Sequence, residues 1–118
     1  DLAFYRAGGL LAAGVDPTGF GGALPGYGDQ RNYQLLLEAG FTPAEAVQIA
    51  TLNGAKILGI DAATGSIEEG KRADLVAFEG DLTSDDTTIT RARLVFKNGV
   101  GFNSGRMEEA VSGQIGVR

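Results

Sequence analysis

Asp16 is the residue with the clearest claim to chemistry. It follows Leu10-Leu11-Ala12-Ala13-Gly14-Val15, a short run that is apolar on both faces, as expected for a strand of a parallel sheet covered on each side. In a barrel of parallel strands the loops after the strands build the active face, so a carboxylate at the carboxyl end of such a strand stands where chemistry is done. A nearby carboxylate can take a proton from a water acidified by a divalent ion. The same residue also suits a plain turn or cap, because Asp16-Pro17-Thr18-Gly19 is good turn chemistry.

Other candidates carry less. Gly19 to Gly28, GFGGALPGYG, invites a phosphate-loop reading, but it contains neither Gly-x-Gly-x-x-Gly nor Gly-Lys-Ser/Thr. The next helix is expected to start at Asp29, which puts negative charge where a phosphate would sit. A substrate loop with Phe20 and Tyr27 as lining is the better functional reading, and a simple connection is the plain one. Glu79 to Asp86 is acidic but lacks the EF-hand pattern, so a solvated loop is expected rather than a calcium site. Arg91 and Arg93 lie among acids and form no basic patch. The chain has no histidine at all, and a catalytic zinc site takes three protein ligands, usually histidines with a carboxylate. Asp16 alone cannot hold an ion.

The elements that must position these residues announce themselves through their ends. Asp1 to Ala7 has helical spacing and stops at Gly8-Gly9. A helix over about Gln30 to Ala39 carries Tyr33, Leu36, Leu37 and Ala39 on one side, and Gly40-Phe41 forms a glycine-then-apolar stop. Thr42, Pro43 and Glu45 set an N-cap hydroxyl, a proline at N1 and a back-reaching carboxylate at N3. That helix should break near Thr51-Leu52-Asn53, with Asn53 capping a second short helix that Gly59 ends. Gly65 to Lys71 reads as a strand entering a tight turn, and Ala73 to Phe78 as the returning strand, where the carboxylate of Asp74 must accept hydrogen bonds from turn backbone. Ile89 to Lys97 alternates, with Leu94 and Phe96 on one face and Arg93, Val95 and Lys97 on the other. Asn98-Gly99 is a type I′ hairpin signal leading to a strand over Val100 to Phe102. Met107, Val111 and Ile115 suit one helical stripe, which Gly113 and Gly116 weaken.

The order helix, broken helix, Gly65-Ser66-Ile67-x-x-Gly70-Lys71-x-Ala73-Asp74-Leu75-Val76 resembles the C-terminal signature of metal-dependent amidohydrolases, shared by their imidazolonepropionase, dihydroorotase and Xaa-Pro dipeptidase-like branches. The resemblance implies an α/β fold: the last β-α unit or units of a (β/α)8 barrel, followed by part of a small β-sandwich. It divides the chain into 1–60 as barrel remnant, 61–105 as sandwich strands and 106–118 as tail. In that family the last barrel strand ends in an aspartate, usually after Gly-Thr or Gly-Ser; here the pair is Gly14-Val15, so the hydroxyl is gone. By resemblance Asp16 binds the catalytic metal, acts as general base on the metal-bound water and passes the proton to the leaving nitrogen. The implied cofactor is a divalent metal, zinc by preference, in the intact parent, with none held by this chain alone. The implied reaction is hydrolysis of a C–N bond in an amide, cyclic amide or dipeptide.

Length sets the limit. A chain of 118 residues is at most one small domain, whereas a full barrel needs about 250. Beginning at Asp1 inside a helix, it reads as the C-terminal piece of a longer protein and is expected to be silent by itself. Its 19 glycines are well above the usual ~7% and predict many turns. A net charge of −5 argues against nucleic acid or an anionic membrane as partner. The absence of cysteine excludes a disulfide framework. The expected partner is the missing N-terminal barrel portion or another copy of the chain, as a homo-oligomer, because Leu10 to Val15 would otherwise be partly exposed. A stand-alone assembly module derived from such an enzyme is the competing reading.

Overall fold

A computed structural model describes residues 1–15 and 26–114; Asp16, Phe20 and Ile115 lie outside the described residues. The elements run α1 (Leu2–Arg6), α2 (Gly28–Glu38), α3 (Pro43–Ala50), α4 (Leu52–Ile57), β1 (Leu75–Phe78), a 3₁₀ helix (Asp86–Thr90), β2 (Ala92–Lys97), β3 (Val100–Asn103) and α5 (Ser104–Val111).

The helix ends follow the chain's local chemistry. At α3 the Thr42 hydroxyl accepts from the Glu45 N–H at 3.3 Å, while the Glu45 carboxylate accepts from the Thr42 N–H at 2.8 Å, a complete capping box. Three glycines close helices in the same way. Gly8, Gly40 and Gly59 take positive φ, and the residue after each donates back to the carbonyls of Phe4, Leu36 and Ala55 respectively. The helix expected over 30–39 occurs as Gly28–Glu38.

The expected cap of α4 is wrong. Thr51 holds the N-cap position without a side-chain capping bond, its hydroxyl donating back to the Val47 carbonyl, and Asn53 lies inside the helix. Its side chain is drawn elsewhere, to the carbonyl of Leu11 at 2.8 Å.

Strands need neighbours, and two expected ones lack them. Leu10 to Val15 forms no strand, because the sheet among the described residues is a separate, antiparallel one in the order β1-β2-β3. Gly65 to Lys71 is likewise a loop rather than a strand. It is closed locally: Lys71 donates to the Ser66 hydroxyl at 2.6 Å and to Glu68 at 2.9 Å, and its backbone N–H bonds the Glu68 carbonyl.

The hairpin turn matches expectation, but the strand expected from Ile89 begins only at Ala92, because Ile89 and Thr90 belong to the 3₁₀ helix. β1 pairs Leu75 with Phe96 and Val76 with Val95, and β2 pairs Val95 with Phe102 and Lys97 with Val100. Asn98 and Gly99 both have positive φ, as a type I′ turn requires. Because paired residues share a face, Leu94 and Phe96 lie opposite Val95 and Lys97. The tail helix starts two residues earlier than Arg106, capped by the Asn103 side chain on the Arg106 N–H.

Among the described residues the buried apolar ones are few: Tyr33, Phe41, Ala46, Ile49 and Ala55, all on or beside α2 to α4. Tyr5 packs edge-on against Phe41 with ring centroids 5.3 Å apart, which seats α1 on this cluster. Tyr33 then joins the helices to the loop after β1, donating to the Leu82 carbonyl at 2.9 Å. Large apolar side chains remain exposed on both parts, among them Leu10, Leu35, Leu58, Val76, Val100 and Phe102. The Cα radius of gyration, 15.5 Å, exceeds the ~13.5 Å of a compact chain of this length.

Candidate functional site

The Leu11–Gly14 segment leads into Asp16 and is held by three helices. The backbone N–H of Ala13 donates to the carbonyl of Ile49 at 3.3 Å, from α3. The Asn53 side chain of α4 donates to the carbonyl of Leu11 at 2.8 Å, and the Asn32 side chain of α2 donates to that of Gly14 at 3.0 Å. Thus two carbonyls of the segment take helix side chains as partners where a parallel sheet would offer backbone, and one N–H takes a helix carbonyl.

Asn53 is 2% exposed and bonded at both ends of its amide. While its amide nitrogen faces the Leu11 carbonyl, its oxygen accepts from the Gln48 side chain at 3.3 Å. A carbonyl can only accept and that amide nitrogen can only donate, so the chain of bonds fixes which way each side chain points. The site also constrains its glycine: a Cβ on Gly28 would stand 2.5 Å from a methyl of Val15, so the start of α2 approaches the segment where a side chain would not fit. Between the segment and α2 runs a shallow groove lined by Leu11, Ala13, Gly14, Asn32, Leu36 and Phe41.

The sequence reading took Asn53 for a helix cap and passed over Asn32. A signal existed for Asn53, since asparagine is a poor helix-interior residue unless its side chain has a fixed partner. The same signal applies to Asn32, which lies inside α2.

The remaining polar residues near the loops serve the fold. Asp81 accepts from the Thr83 hydroxyl and N–H, and Asp85 from those of Thr87. Both carboxyls are held below the usual range, Asp85 at about 2 through the Thr87 hydroxyl and the Arg91 guanidinium. Tyr27, the other expected lining residue, is an exposed N-cap of α2. Among the described residues there is no group of three or more His, Cys, Asp or Glu able to hold a metal ion. None of the described helices is long and apolar enough to cross a membrane.

Comparison with known proteins places these features in a family. Residues 29–102 match the model of the Amidohydrolase family. An imidazolonepropionase of Geobacillus sp. (strain WCH70) is 37% identical over 73 residues, covering 53% of this chain and 17% of that protein. Adenine deaminase 3 of Rhizobium meliloti is 35% identical over 102 residues, covering 77% of this chain and 17% of that protein. The crystal structure of a Bifidobacterium longum protein assigned as a prolidase superposes with a TM-score of 0.73 and 38% identity, over 83% of this chain and 24% of that one. The chain therefore spans about a quarter or less of each of these relatives.

Proposed function

The chain belongs to the amidohydrolase family, and from that premise we propose that it is the C-terminal part of a metal-dependent hydrolase of C–N bonds whose active site is completed by residues outside these 118. The observation that carries this reading is the family match over residues 29–102, which contains the whole Gly65-to-Val76 signature. The small share of each relative that the chain spans supports the second half of the proposal.

The residues at hand do not fit a metal ion by themselves. Amidohydrolases generally use a divalent metal, yet this sequence has no histidine and the described residues hold no cluster of ligands. The donors, zinc's by preference, then come from the rest of the protein, and this chain alone is catalytically silent.

Asp16 is the residue of this chain assigned to the reaction. Its carboxylate takes a proton from the attacking water and returns it to the leaving nitrogen as the C–O bond forms and the C–N bond breaks. The test is Asp16→Asn in the full-length protein, assayed on amide, cyclic amide and dipeptide substrates. A fall in kcat of about 10²–10⁴-fold is expected for loss of the acid-base group; full activity would remove Asp16 from the chemistry.

A second reading has one observation in its favour. Leu10, Leu35 and Leu58 are exposed on or beside the helices and Ile67, at 87%, on the loop after α4, and large exposed apolar area marks surfaces that meet a partner. On this reading the chain is an assembly module that meets a second copy, and size-exclusion chromatography separates the two: a defined oligomer supports it, and a clean monomer with low dye binding counts against it.

A further inference from the structure

We propose that Asn98 is a site of spontaneous deamidation in the folded protein, converting through a succinimide to aspartate and isoaspartate, and that the Asp74 carboxylate sets its rate by holding the hairpin turn shut. The inference is independent of the role proposed for Asp16.

The chain contains two Asn-Gly pairs, Asn53-Gly54 and Asn98-Gly99. Asparagine is chemically labile, and most so before glycine, because a following residue without Cβ leaves its backbone nitrogen free to reach the side-chain carbon. In that step the glycine nitrogen gives its proton to solvent base and attacks Cγ of the asparagine, and the side-chain nitrogen leaves as ammonia. Water then opens the succinimide at either carbonyl. One opening restores the backbone bond and gives aspartate; the other sends the chain through the side chain and gives isoaspartate.

The fold treats the two pairs oppositely. Asn53 is 2% exposed within α4, and its amide is held by Leu11 and Gln48. Asn98 is exposed at the tip of the β2–β3 hairpin, where local opening costs far less than unfolding. The nucleophile there is restrained: the Gly99 N–H donates to the Ala73 carbonyl at 3.0 Å, and the Asn98 N–H donates to the Asp74 carboxylate at 2.8 Å. Gly99 has to give up its bond before its nitrogen can attack, and the charge-assisted bond beside it resists that opening. Isoaspartate adds a carbon to the backbone of a two-residue turn whose geometry has no place for it, so the converted hairpin cannot close again in the same register.

The full-length protein is aged in warm, mildly alkaline buffer, with and without urea, and its peptides are mapped by mass spectrometry for replacement of NH2 by OH at each pair. In the folded protein Asn98 is expected to convert at least about tenfold faster than Asn53, and in urea the two converge. Asp74→Ala should speed conversion at Asn98 about tenfold, the equivalent of one hydrogen bond to a charged group, with Asn53 still trailing. Asp74→Asn, which keeps a neutral acceptor, should give a smaller rise. An Asn98 that stays intact in the folded protein while the urea sample converts, or that only keeps pace with Asn53, overturns the site. Unchanged conversion at Asn98 in both Asp74 variants overturns the latch, and so does an Asn53 that draws level with Asn98 in them, because the reaction then proceeds from the wholly unfolded chain.

Discussion

The carboxylate of Asp74 accepts a hydrogen bond from the backbone N–H of Asn98 at 2.8 Å, across 24 residues of sequence. The same side chain takes the Thr64 hydroxyl at 3.2 Å and the Lys97 ammonium at 3.1 Å. Expectation had an acceptor of turn backbone here, and the turn proves to be the β2–β3 hairpin rather than the one just before Asp74. The acid thereby joins the loop after α4 to the sheet. Its pKa lies below the usual carboxylate range, chiefly through the Asn98 N–H and then through Lys97. Asp74→Ala should lower the urea midpoint, and Asp74→Asn, which keeps a neutral acceptor, should lose about half as much, since charge-assisted bonds are roughly twice as strong as neutral ones. Equal losses in the two variants would mean that charge contributes nothing.

Acid should loosen the contact between α1 and α3. Glu45 pairs with Arg6 while completing its capping box with Thr42, and its pKa falls to about 2, with the Arg6 guanidinium as the largest cause and the Thr42 N–H next. A depressed carboxyl stabilises fully above its unfolded pKa of ~4.3. That contribution disappears as pH drops towards 2. Thermal midpoints measured from pH 6 to 2 should decline below about 4.3 in the native protein and less steeply in Glu45→Gln. Parallel curves would show that Glu45 is not a source of the acid sensitivity.

Gly65 is required twice over. Its φ is +95°, and a Cβ there would lie 2.6 Å from the Cβ of Ala55 and 3.2 Å from the Cα of Leu52. Gly70 has a similar φ of +87° but open space around it. Gly70→Ala should therefore cost only the left-handed backbone penalty, about 1–2 kcal/mol. Gly65→Ala adds overpacking, for a total of about 2–4 kcal/mol by urea unfolding. If both variants lose the same amount, the close approach to α4 is absent in solution.

Tyr33 should give the protein an alkaline limit. Its ring is 2% exposed, and its hydroxyl donates to Leu82. Burial raises the phenol's pKa above 10, with the negative charges of Asp86 and Asp81 adding to the shift. A raised acid favours the folded state fully below its unfolded pKa of ~10 and loses that contribution as pH rises through the folded value. Tyr33→Phe should cost about 0.5–1.5 kcal/mol at pH 7 and should flatten the decline of stability above pH 10. A variant that declines as steeply as the native protein would assign that limb to another group.

The fold was most legible where the signal is short. Thr42, Pro43 and Glu45 define the start of α3 within four residues, Gly40-Phe41 and Gly59-Ile60 stop helices by bonds that reach back five, and Asn98-Gly99 turns the hairpin between adjacent strands. The family resemblance is carried by the same kind of contiguous run. The site was less legible: Asp16 lies outside the described residues, while the asparagines that hold the segment before it carry no motif.

Read alone, the chain determined helix ends, the hairpin turn, the absence of nitrogen donors and the family, because each depends on residue types close together or simply counted. Only the folded arrangement decided that Leu10 to Val15 and Gly65 to Lys71 are not strands, that Asn53 reaches Leu11 across 42 residues rather than capping α4, and that Tyr33 meets Leu82 across 49. A strand exists only beside another strand, and a side-chain amide chooses among carbonyls by where packing brings them. Both depend on distances in space that no local pattern encodes.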